Sequence, residues 1–158
     1  MPPTKKPCEP ANYKQKLRLA VQYAVKDRSG IPDRLLFRKW VNAALMKSAE
    51  IVIRIVDLPE GEALNRDFRG KPSATNVLTF VYGDLPCAGD IVLCASIVSR
   101  EAQQQHKSLV AHYAHLTVHG VLHLQGYDHI DEEDAVVMES LETEIITRLG
   151  YADPYSVL

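Results

Sequence analysis

The stretch HGVLHLQGYDH, residues 119–129, constrains this chain more than any other part of it. It sets His119 and His123 four residues apart in an apolar run, with Gly126 three residues on and His129 three beyond that. Positions four apart on a helix share one face about 6 Å from each other, so both imidazoles can address one point. A glycine closing the helix in the left-handed conformation lets the chain turn sharply and bring His129 back to that point. Three imidazoles with a fourth position open describe a catalytic rather than a structural zinc site. The spacing equals that of the metzincin motif H-E-x-x-H-x-x-G-x-x-H at all positions but one. That one is Gly120, where those proteases carry their general base, and Met138, the candidate for a Met-turn, falls in helical sequence. A typical protease is excluded.

His112 and His115 return to nearly the same helical face, but further along the axis than one ion reaches. His115 is read as a candidate for a supporting or substrate-facing role, and His112 as packed. Asp128 is read two ways, as a carboxylate that orients a histidine or as the cap of the turn.

The 158 residues suit one domain with a substantial core. A net charge of −2 argues against coating duplex DNA by charge, while permitting a local basic groove. The three cysteines, Cys8, Cys87 and Cys94, show no C-x-x-C spacing and read as reduced thiols of a cytoplasmic protein. The first residues lack the apolar core of a secretory signal, and no run approaches the roughly 18 apolar residues of a membrane span.

Residues 1–12, with four prolines, read as a loose tail before a single domain over 13–158. KLRLAVQYAV (16–25) and EIVIRIVD (50–57) alternate at period two and predict strands. PDRLLFRKWVNAAL (32–45) has helical spacing, and PEGEALNRDFRG (59–70) reads as a short helix with a glycine exit. TNVLTFVYG and GDIVLCA are strands joined by a turn. Helical sequence runs from about Ser96 to Gln125, breakable near Lys107, and a last helix follows Asp131, with acids in its first turn and Gly150 after its last. The order is β-α-β-α-β-β-α-α.

The signature H-G-x-L-H-L-x-G-Y-D-H, complete from His119 to His129, resembles that of the YbeY family of bacterial endoribonucleases. LNRDFRGKPSATNVLTF is similar to a second family segment, through Asn65, Arg69, Thr75, Asn76, Val77, Leu78, Thr79 and Phe80, and ETEIITRLGYADPY fits as well. GKPSATN departs from a frequent Lys-Asp pair, a difference of loop detail. The resemblance implies a zincin-like α+β domain with a small, mixed, four-stranded sheet surrounded by helices. It implies metal-dependent cleavage of single-stranded RNA, with roles in maturing the 3′ end of small-subunit rRNA and in ribosome quality control. Arg69 would be the family's functional arginine.

The chemistry agrees with that implication. A phosphodiester is an anion, and its cleavage gains from a Lewis-acid metal and from a guanidinium that grips oxygens with a fork. His119, His123 and His129 are the expected ligands, zinc the expected ion, and Arg69 the expected phosphate clamp. Other first-row metals also accept nitrogen ligands. Water acidified by the metal or the substrate's own 2′-hydroxyl would attack, and the sequence leaves both open.

Overall fold

The computed structural model describes residues 16–71, 73–82 and 87–156; the proline-rich stretch 1–12 lies outside them. Alternating apolar residues become strands β1 (Leu17–Ala24) and β2 (Ala49–Val56), which pair in parallel. Parallel neighbours need a crossover, supplied by α1 (Arg34–Ala44). Asp33 caps α1 by accepting the Leu36 N–H at 2.9 Å, and Phe37, Trp40, Val41 and Ala44 form its buried face. After α2 (Leu58–Arg69) come β3 (Val77–Val81) and β4 (Ala88–Cys94), and the sheet order is β1-β2-β4-β3. Only β3, on the edge, runs antiparallel. This is the mixed four-stranded α+β sheet that the sequence led us to expect.

The helical run 96–125 resolves into two helices, α3 (Ala95–Gln104) and α4 (Leu109–Leu124), one more than the order read from sequence. His106 adopts φ +56° at the break, and Ser108 caps α4 by accepting the Ala111 N–H at 3.2 Å. The chain closes with α5 (Glu132–Arg148), capped by Asp131 through the Asp134 N–H at 2.8 Å.

The two sheet faces carry different helices. Ile51, Ile53, Ile55, Ile91 and Leu93 pack with α1 and the central α4, and α5 adds Met138, Ile145 and Ile146. Val56, Leu78, Val92 and Cys94 face the other way, with Leu64 of α2 and Ile97 of α3. Approach on the α4 side is close. A Cβ on Gly120 would lie 3.1 Å from Ile91, and one on Gly89 would strike the Phe80 carbonyl and sit 2.7 Å from Leu124 Cδ2.

Candidate metal centre

One turn of α4 brings His119 and His123 together with their Nε2 atoms 3.1 Å apart. Gly126 then takes φ +102°, the conformation a side chain resists, and the N–H groups of Gly126 and Tyr127 close the helix on the carbonyls of His123 and Leu122. Gln125 fastens this turn to the end of α1, accepting the Met46 N–H at 2.7 Å and donating to the Ala44 carbonyl at 2.9 Å. Asp128 accepts the His129 N–H at 2.7 Å and so shapes the turn. His129 folds back until its ring centroid is 5.5 Å from that of His119 and 5.1 Å from that of His123. One nitrogen from each ring lies within 4.8 Å of the others. Three imidazole nitrogens gathered this closely are a donor set that would suit a divalent ion.

The remaining nitrogen of His119 shows which way its lone pair points. His119 Nδ1–H donates to Glu142 of α5, a carboxylate with no solvent exposure, which leaves Nε2 free for an ion. Tyr155 donates its hydroxyl to the other Glu142 oxygen, and His115 Nε2 stands 3.6 Å from that same oxygen. Burial alone raises the Glu142 pKa, but His115, His119 and Tyr155 hold it down to about 2, so it is an anion. Burial, then the neighbouring His119 and His129, push His123 below the usual imidazole range, which favours the neutral, ligating form. Three imidazole nitrogens, one ring backed by a buried carboxylate, fit a divalent first-row ion. A cavity of about 210 Å³ adjoins them, lined by His119, His129, Met138, Glu139, Glu142 and Tyr155.

The family model described as endoribonuclease YbeY matches residues 23–150. The chain belongs to the YbeY family. A Nitrosomonas europaea protein named endoribonuclease YbeY is 71% identical, covering 99% of this chain and 96% of its own. One of the same name from Nitrosospira multiformis is 58% identical over 89% of this chain and 82% of its own. A solution structure of a Thermotoga maritima protein shares the fold at a TM-score of 0.55 and 22% identity, covering 89% of this chain and 99% of that one.

The other residues picked from this YbeY-family sequence separate clearly. Gly120 faces Ile91 and the sheet. Met138 does border the cavity beside His119 and His129, but from a helix rather than a turn. His112 is packed, 3% exposed, with Nε2 2.9 Å from Glu101, which also accepts from Asn76 at the start of β3. Burial lowers the His112 pKa. His115 belongs to the Glu142 cluster. Arg69 ends α2 exposed, on the sheet face opposite α4, and makes no ion pair or hydrogen bond with its side chain among the described residues. The structure does not bring it into contact with the triad. Glu142 was missed, although Met138, Glu142, Ile145 and Ile146 fall at helical spacing, and a charged residue in that register is a readable signal.

Proposed function

We propose that this chain is a metal-dependent endoribonuclease of single-stranded RNA, acting with the ribosome or its small subunit in rRNA 3′-end maturation and ribosome quality control. We place it in the cytoplasm; no helix among the described residues is long and apolar enough to cross a membrane. The carrying observation is the convergence of His119, His123 and His129, with Glu142 on the far nitrogen of His119. His119, His123 and His129 would hold one ion, zinc by the chemistry of its donors, and other divalent first-row metals fit the same set. When bound, the ion supplies Lewis-acid polarisation of a phosphodiester. Glu142 fixes the tautomer and direction of His119. Arg69 is assigned the phosphate clamp, because its fork is exposed and has no partner among the described residues, and it matches the family's arginine.

The peptidase alternative loses its base to packing. Helix position 120 points at Ile91, 3.1 Å from where a Cβ would be, so no side chain there reaches a substrate without displacing the core. Metal-loaded protein should cut single-stranded RNA, lose that activity with chelator, and leave casein intact. Cleaved casein with intact RNA would reverse the assignment.

A further inference from the structure

α2 ends in an aromatic that the core does not use. Phe68 is 66% exposed and immediately precedes Arg69. Residues 66–71 are exposed and carry Arg66, Arg69 and Lys71 against Asp67 alone, a local positive surplus on a chain of net charge −2. Arg66 is 3.7 Å from Asp67, which leaves Arg69 and Lys71 as the cations of this segment without an acidic partner among the described residues.

The ring is held in place. Phe80, packed on the α2 face of the sheet, meets Phe68 with centroids 5.3 Å apart and planes at 72°. Gly70 closes the helix at φ +70°, the Lys71 N–H reaches the Asn65 carbonyl at 3.3 Å, and the buried Asn65 amide donates to the Ser73 carbonyl. One edge of Phe68 is therefore braced while most of its surface meets water.

Its place relative to the triad follows from the strand register. Phe80 pairs with Asp90, one step from the Val81–Gly89 pair. On the other sheet face Leu124, next in sequence to His123, lies against Gly89. Phe68 and His123 thus stand at the same end of the sheet, on opposite faces, with edge strand β3 between them. A flexible polymer crossing that edge can touch both. Single-stranded nucleic acid asks for an aromatic face on which a base stacks and cations for the flanking phosphates. An apolar protein partner would use the ring but would gain nothing from Arg69 and Lys71.

We infer that Phe68, braced by Phe80, is a base-stacking subsite for single-stranded RNA, with Arg69 and Lys71 on the adjoining phosphates. This rests on the endoribonuclease reading above. Phe68→Trp tests it directly, because the chain's own Trp40 is fully buried and gives a constant background. Titrating metal-loaded Phe68→Trp with a single-stranded RNA should quench the new emission. An abasic oligomer of equal length and charge should not. Phe68→Ala should weaken RNA binding roughly 5- to 150-fold, the range for losing one stacked base, with metal content and unfolding midpoint as controls on the fold. Equal quenching by the abasic oligomer, or RNA binding without quenching, would overturn the subsite and leave the nuclease reading standing. A wild-type protein that binds no single-stranded RNA would overturn both.

Discussion

Replacing Glu142 by glutamine keeps the shape of the side chain and removes its charge where no water reaches. The native carboxylate accepts from His119 and Tyr155, with His115 3.6 Å away. Glutamine can still accept from His119 through its oxygen and donate through its NH2 group to the Tyr155 oxygen, so the substitution removes the charge while keeping partners for both. Burial works against the carboxylate, yet its partners hold the carboxyl at about 2 rather than 4.5. That difference favours the charged form in the fold by about 3 kcal/mol. Metal-free Glu142→Gln should be less stable by about this amount at neutral pH, a midpoint drop of roughly 6–12 °C for a chain of this size. The folded group titrates below the unfolded one, so the stabilisation is complete above about pH 4.5 and disappears as the pH falls towards 2. Wild type and variant should converge across that window in urea or thermal unfolding. With a neutral amide oxygen in place of the carboxylate behind it, His119 should also bind metal about 10- to 100-fold more weakly in a chelator competition. Wild-type metal affinity together with a wild-type midpoint at pH 7 would refute this role for Glu142.

His129→Ala should lose most of its bound metal by elemental analysis with little change in unfolding midpoint, because His129 sits exposed on the turn; a full metal equivalent would remove it from the ligand set. Arg69→Ala should lose RNA cleavage while keeping metal and fold, and Arg69→Lys should recover only part of it, since an ammonium lacks the fork. Wild-type turnover by Arg69→Ala would end its assignment as a clamp. Gly120→Glu should create no casein hydrolysis and should lose several kcal/mol in urea unfolding, because it drives an unpaired carboxylate against Ile91. Unchanged stability would mean that the helix face at 120 is more open than its contacts indicate.

The histidine triad was legible because its geometry is local. One helical turn and one glycine with positive φ, within eleven residues, bring His119, His123 and His129 together before any other element is placed. Strands β1 and β2 and the buried face of α1 were legible for the same reason, since periods of two and 3.6 are set by backbone geometry. Glu142 was not legible in this way. Asp128 stands beside the histidines in sequence, yet it caps the turn, and the carboxylate that orients His119 comes from 23 residues downstream. Only the packing of α5 on α4, through Met138 and Ile146, selects it. The relation of Arg69 to the triad depends likewise on β3 being inserted antiparallel at the edge, with α2 and α4 on opposite faces. The sequence by itself determined the histidine triad, because short-range chain geometry is enough to gather it. Tertiary structure decided which carboxylate supports it and what surface surrounds it, because those neighbours meet only when separate helices bury their apolar faces against one sheet.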